Sequence, residues 1–89
     1  MKAIMTVIGC DRVGIIASVT SLLVTLNINI LDLSQTIMDG LFTMTVLVDV
    51  SGSSCSFDEI RDTLSAHGEK EGLSIRIQRE DIFTAMHRV

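Results

Sequence analysis

Hydrophobic positions follow two different spacings along the chain, and these spacings predict six elements. Alternating or continuous apolar segments predict four strands, over about residues 2–9, 28–38, 42–50 and 73–78. Apolar positions at helical spacing predict two helices, over about residues 13–26 and 57–70. The order is therefore strand, helix, strand, strand, helix, strand.

Short polar signals mark the boundaries of these elements. Asp39-Gly40 is typical of a two-residue type I′ turn, so the second and third strands should pair antiparallel. Ser56 and Glu59 have the spacing of a capping box at the start of the second helix, and Gly72 should end it. The apolar positions of the second strand change phase near residues 30–31, which predicts either a bulge or a strand contacted on both sides.

This order predicts an α+β, ferredoxin-like βαββαβ sandwich: a four-stranded antiparallel sheet with two helices on one face. Right-handed crossovers place the first and third strands in the middle. We expect this domain to span residues 1–80. Residues 81–89 should form a short C-terminal amphipathic helix that packs on the domain or on a neighbouring subunit, since apolar residues recur there at helical spacing: Ile82, Phe83, Met86 and Val89.

Two predicted surfaces are less polar than an ordinary solvated surface. Apolar residues on the open face of the sheet indicate that a homo-oligomer covers it: Ile4, Ile8, Leu41 and Leu47. An uncharged line along the first helix is either a subunit contact or a surface of short side chains: Val13, Ala17, Thr20 and Val24.

The turn between the first strand and the first helix, residues 9–14, is the candidate site. Gly9 and Gly14 permit unusual backbone conformations. We expect Asp11 to cap the helix, to accept a hydrogen bond from a ligand ammonium group, or to do both. Free backbone N–H groups at a helix start are suited to a carboxylate or a phosphate. Arg12 could form a bidentate pair with a ligand carboxylate, or it could be solvated or paired with a nearby acid.

Composition limits the class of protein. With 89 residues the chain makes one domain, and a net charge of −4 without a Lys/Arg cluster argues against nucleic-acid binding. Two cysteines without a secretory signal indicate reduced thiols in the cytoplasm. Residues 13–31 carry no charge and approach the length of a membrane span, but Asn27 and Asn29 favour a buried helix followed by a strand.

The remaining reactive side chains do not predict a metal, cofactor or catalytic site. Cys10 lies beside a helix start and an arginine, which would favour a reactive thiolate, but the absence of a nearby histidine in the sequence favours an inert, partly buried thiol. Cys55 should lie at the opposite end of the sheet, which excludes a disulfide with Cys10. His67, expected near the sheet-facing side of its helix, and His87 lack metal-ligand spacing.

The run VIGCDRVGIIA at residues 7–17, followed by NILD at residues 29–32, resembles the opening of an ACT domain. With its ending at residues 81–87, the whole chain resembles the free-standing single ACT-domain proteins of bacteria and archaea. This resemblance implies a regulatory module that binds an amino acid or similar small ligand at a dimer interface, often with two domains side by side in one eight-stranded sheet.

Carried onto this sequence, the resemblance implies ligand-binding residues in the turn, with the second strand of a neighbour opposite: Gly9, Cys10, Asp11, Arg12, Val13 and Gly14, with Asn29, Ile30 and Leu31. Val13 stands where the family more often has proline.

The leading hypothesis is a non-catalytic regulatory module that binds an amino acid between subunits and acts on a protein partner. A structural protein–protein interaction module without a ligand is the first alternative. An acylphosphatase-like enzyme is the second, with Arg12 and the turn amides holding phosphate. The turn lacks the Gly-Lys-Ser/Thr ending of a P-loop, and no activated nucleophile is visible.

Overall fold

A computed structural model describes residues 1–10 and 13–79 of the chain. The predicted order of elements is confirmed: β1 (Lys2–Cys10), α1 (Ile15–Thr25), β2 (Asn29–Met38), β3 (Leu41–Asp49), α2 (Phe57–Glu71) and β4 (Ser74–Arg79). The predicted helix at residues 81–89 lies outside the described residues, so its packing stays a prediction.

The four strands form one antiparallel sheet in the order β2-β3-β1-β4, which confirms the ferredoxin-like topology. Cys10 of β1 pairs with Leu41 of β3, which in turn pairs with Met38 of β2. We call this the hairpin end of the sheet. Lys2 and Asp49 pair at the opposite end, which we call the start end because β1 begins there.

The core lies between the sheet and the two helices and consists mainly of aliphatic side chains. On β3, the predicted alternation is confirmed, since Phe42, Met44, Val46, Val48 and Val50 are all buried. The facing residues of β1, α1 and α2 complete this layer: Ala3, Met5, Val7, Ile15, Val19, Leu23, Ile60 and Leu64. Both helices therefore cover the same face of the sheet, as the right-handed crossovers require.

The turn and capping signals are confirmed at the residues that carry them. Asp39 and Gly40 both have positive φ, 51° and 78°, as a type I′ turn requires. The Ser56 hydroxyl accepts a hydrogen bond from the Glu59 N–H at 3.2 Å, and the Glu59 carboxylate accepts one from the Ser56 N–H at 2.9 Å. These bonds, first the one from the Ser56 backbone, lower the pKa of Glu59. Gly72 ends α2 with φ 73°.

The start of α1 differs from the prediction. The helix begins at Ile15, and its N-cap residue is Gly14, with φ 93° and no side-chain cap. The expectation that Asp11 occupies the N-cap position is therefore wrong, because Gly14 holds it. Asp11 and Arg12 themselves lie outside the described residues.

The predicted bulge in β2 is confirmed, with a register shift between Ile30 and Asp32. After the bulge, Leu33 faces the helices opposite Val46, while Ser34 faces the open side opposite Thr45. The phase change in the sequence is thus the mark of one extra residue in this edge strand.

The open face of the sheet is partly apolar, as predicted. Ile8 is 40% exposed and Leu41 49% exposed, while Ile4 and Leu47 on the same face are half-buried. Neither helix in the described part of the chain has the length and apolarity needed to cross a membrane.

Candidate functional site

The predicted turn residues lie at the hairpin end of the sheet. Gly9 and Cys10 are the last residues of β1, and Cys10 is exposed. Val13 is fully exposed, and Gly14 follows it at the helix start. The positions of the turn that the structure describes are therefore gathered in one place.

The absence of a side chain at Gly9 allows β1 to pack closely against the loop that precedes β4. A Cβ at this position would collide with the Leu73 side chain, and it would lie 3.5 Å from the Gly72 carbonyl oxygen. The missing side chain of Gly9 is thus used by the protein's own core, whereas a Cβ at Gly14 would meet no atom within 4 Å.

The amino end of α1 is open to an incoming anion. Among the described residues, no side chain caps its first turn, and that turn contains no acidic residue. The first N–H groups of a helix have no intrahelical acceptor, and the aligned peptide dipoles give this end a partial positive charge. A carboxylate placed beside Gly14 would therefore be stabilised by the backbone alone.

A groove of about 240 Å³ lies directly beside this helix end. It separates the first turn of α1 from the hairpin-end parts of β2 and β3, and its lining is Gly14, Ile15, Ile16, Ala17, Gln35, Ile37 and Phe42. Binding sites for drug-sized molecules occupy about 300–1,000 Å³, so this groove suits a smaller ligand. An apolar wall, one amide side chain and free helix N–H groups fit a compact molecule with a carboxylate.

Sequence reasoning missed the strand side of this groove. Gln35 and Ile37 turn toward the helices because the bulge in β2 reverses the side-chain alternation after Ile30. The phase change near residues 30–31 was the available signal, since it determines which face each later side chain takes.

The two predicted walls of the site do not meet within one chain. Asn29 pairs with Asp49 at the start end, whereas Met38, at the other end of β2, pairs with Leu41 beside the turn. A strand of ten residues is about 30 Å long, so residues 29–31 lie far from Gly14 of the same copy. A single copy thus holds the turn and the groove without the second predicted wall.

A polar cluster that the sequence did not predict joins the two helices. The Ser18 hydroxyl on α1 lies 2.8 Å from His67 Nε2 and donates to Glu71 Oε1 at 3.2 Å, both on α2. Since the hydroxyl has one proton, both contacts are satisfied when His67 Nε2 carries a hydrogen and donates to Ser18. His67 is half-buried here, and the 49-residue separation from Ser18 explains why periodicity could not reveal the contact.

This cluster does not have the geometry of a catalytic triad. The acid of a triad holds the imidazole nitrogen remote from the serine, whereas Glu71 contacts the serine itself. Cys10 and Cys55 are free thiols. In residues 1–10 and 13–79, no group of three or more His, Cys, Asp or Glu side chains is placed to hold a metal ion.

A second cavity, of about 300 Å³, lies between α2 and the edge strand β4. Arg61 lines it, and its guanidinium group lies 3.3 Å from the Asp58 carboxylate and 3.6 Å from that of Asp62. These carboxylates offset the charge of Arg61, and a second arginine, Arg76, also lines the cavity.

The βαββαβ fold, with a groove for a small ligand at the end of α1, defines a small binding module. The sequence model of the ACT domain matches residues 2–78, and the chain belongs to the ACT domain family. ACT domains are commonly regulatory modules that bind small ligands.

Three comparisons show how this domain occurs elsewhere. A UPF0237 protein of Clostridium acetobutylicum is 57% identical over the full length of both chains. An ACT domain protein from Streptococcus pneumoniae is 41% identical, with a TM-score of 0.83 over 93% of each chain. A formyltetrahydrofolate deformylase from Pseudomonas syringae is 28% identical with a TM-score of 0.75, and the match covers 88% of this chain but 27% of that one.

Proposed function

We propose that this protein is a non-catalytic regulatory module that binds an amino acid at the interface between two copies of the chain. The observation that carries the proposal is the uncapped amino end of α1 beside the 240 Å³ groove. The ligand carboxylate accepts hydrogen bonds from the first N–H groups of α1, and the ligand side chain contacts Ile16 and Ile37.

The edge strand β2 supports the second copy in this proposal. It is ten residues long and most of its residues are exposed. After the bulge at residues 30–32, residues 33–38 contain no proline and no charged side chain. Edge strands that remain unpaired are usually short or carry such residues, because a long free edge is a template for another strand. β2 is therefore suited to pair with β2 of a second copy.

A two-fold axis that passes between the two β2 strands, perpendicular to the sheet and level with their midpoints, would bring the two predicted walls together. The two β2 strands then run antiparallel, so Asn29 of the second copy lies beside Met38 of the first, at the hairpin end. This places residues 29–31 of the second copy next to the open groove. Each dimer would contain two such sites.

The outer face of α1 supports the same arrangement. None of the eleven residues of this helix is charged, and Val24 is 72% exposed. Three residues of the predicted uncharged line, Ala17, Thr20 and Val24, lie on this helix, which shares the groove with β2, while Val13 precedes the helix. An interface along β2 would remove part of this apolar surface from water.

Calorimetric titration of the purified protein with each of the proteinogenic amino acids tests the proposal. We expect at least one of them to release or absorb heat and to raise the melting temperature, because a ligand that binds only the folded state stabilises it. The absence of heat and of any melting shift for all of them would contradict the proposal and favour a structural module without a ligand.

Two glutamines provide a matched pair of variants for this titration. Gln35→Ala removes the amide group that lines the groove and should weaken binding about tenfold, as expected for the loss of one hydrogen bond of ~1.4 kcal/mol. Gln78→Ala makes the same change on β4, at the other edge of the sheet, and should leave affinity unchanged. Equal effects of the two substitutions would exclude the groove as the binding site.

A further inference from the structure

The open face of the sheet divides into two halves of opposite charge. Its charged side chains, among the described residues, are Lys2 on β1, Arg76 on β4, Asp49 on β3 and Asp32 on β2. Because the strand order is β2-β3-β1-β4, both basic residues lie on one half and both acidic residues on the other. The centre between them is uncharged.

The centre of the face has the composition of a surface that packs against another sheet. Ile4 pairs with Leu47, Thr6 with Thr45, and Ile8 with Thr43, so three successive cross-strand pairs of β1 and β3 carry only aliphatic or threonine side chains. On a sheet face exposed to water, polar or charged residues usually occupy such positions. Sheets that pack face to face lie about 10 Å apart with such side chains between them.

We infer that the open sheet face binds the open sheet face of a second copy of the chain, with the strands of the two sheets running in the same direction. The two-fold axis lies between the sheets, parallel to the strands, and places β1 of one copy over β3 of the other and β4 over β2. Each basic half then meets an acidic half. The N-terminal ammonium group lies 3.4 Å from the Asp49 carboxylate and offsets part of its charge, so the pairing of Arg76 with Asp32 contributes most of the charge complementarity.

The charge positions select this orientation over the alternative. Lys2 and Asp49 are paired in register, so they remain level when β1 of one copy lies over β3 of the other. Arg76 pairs with Thr6 of β1, whereas Asp32 pairs with Leu47, which in turn pairs with Ile4 of β1. Arg76 and Asp32 are therefore two residues apart along the strand direction. An axis perpendicular to the strands would place β1 over β1, and Lys2 would then face the apolar hairpin end.

The area of the face is large enough for a stable contact. Four strands about 4.8 Å apart, three of them nine or ten residues long and β4 six residues long, cover roughly 19 Å by 30 Å at most. Two such faces would bury on the order of 1,100 Å², which reaches the ~1,000 Å² expected of a specific interface. The contact leaves the β2 edge free, so it is independent of the dimer in the proposed function.

Sedimentation of two arginine variants tests the inference. Thr45 is exposed near the centre of the face, and Thr45→Arg should halve the mass of the assembly at equal protein concentration. Ala66→Arg places the same side chain on the exposed side of α2 and should keep the wild-type mass. A folded Thr45→Arg variant, checked by circular dichroism, with the wild-type mass would overturn the inference.

A charge exchange and a cross-link test the orientation. Arg76→Glu should weaken the association, and adding Asp32→Arg should restore it; equal dissociation of the single and double variants would overturn the predicted pairing.

In the Cys55→Ser background, a bismaleimide with a spacer of about 10 Å should join Cys10 of the two copies, which the reversed orientation would place about 30 Å apart. No cross-link in an intact assembly would also overturn it.

The proposed function can be tested independently of this inference. Thr45→Arg changes neither the α1 start nor Gln35, so amino-acid binding to this variant should match the wild type whatever its mass.

Discussion

Replacing Gly14 by alanine should destabilise the protein by about 1 kcal/mol without any steric clash. Gly14 has φ 93°, and a Cβ there would have no atom within 4 Å, so the entire cost is conformational. A left-handed conformation costs an L-residue roughly 1–2 kcal/mol. The lower entropy of the unfolded alanine chain offsets about 0.4–1 kcal/mol of this cost, which leaves the net value of about 1.

Thermal and urea denaturation measure this effect. For a domain of this size, about 1 kcal/mol corresponds to a fall of roughly 4–8 °C in the melting temperature. The urea midpoint should fall while the slope stays the same, because the surface exposed on unfolding does not change.

Gly72→Ala is the matched control for this substitution. Gly72 also has positive φ, 73°, and open space around its missing Cβ, but it ends α2 away from the groove. Both variants should lose similar stability, while only Gly14→Ala should also weaken amino-acid binding. A Gly14→Ala variant as stable as the wild type would refute the assigned backbone conformation at the helix start.

Three further predictions concern the core, acid stability and the thiols. Leu64→Ala should cost about 2–5 kcal/mol in urea denaturation, because Leu64 is completely buried; a cost below ~1 kcal/mol would contradict its position in the core. Hydrogen bonds from the Ser51 hydroxyl and, to a lesser extent, from the Ser51 N–H lower the pKa of Asp49 from 3.8 to about 2. The ionised Asp49 side chain therefore stabilises the fold above pH 3.8, and this stabilisation is lost as the pH falls toward 2. Asp49→Asn should therefore reduce the fall of the free energy of unfolding between about pH 4 and pH 2. An unchanged fall in this variant would argue against the hydrogen bonds between Ser51 and Asp49. Exposed Cys10 should react with a thiol reagent faster than half-buried Cys55, as single-cysteine variants would show, and the reverse order would contradict the assigned burial.

The sequence was sufficient for the fold because each local signal agreed with the overall pattern. The strict alternation of β3 determined its buried face, and the Asp39-Gly40 turn fixed the antiparallel pairing with β2. Even the irregular part of β2 left a signal, because one inserted residue reverses the alternation. Such features depend on neighbours in sequence, which a single chain displays directly.

The candidate site was predictable only in part because its components are distant in sequence. Glycine spacing located the turn, but it did not distinguish Asp11 from Gly14 as the cap, since both residue types occur at helix starts. The groove combines this turn with Gln35 and Ile37, whose direction depends on the strand register. The Ser18 and His67 contact requires two packed helices, which periodicity alone does not specify.

The central claim is that the ligand site is complete only when two copies pair along β2. Calorimetric titration of a Ser34→Lys variant with the bound amino acid tests it most directly, since Ser34 is exposed near the middle of β2 and a lysine on an edge strand opposes strand pairing. Ser74→Lys introduces the same charge on β4, the other edge strand, and should keep the wild-type affinity. The account predicts that Ser34→Lys remains folded, loses the β2 contact and binds the amino acid at least tenfold more weakly. A dissociated, folded Ser34→Lys variant with wild-type affinity would contradict it.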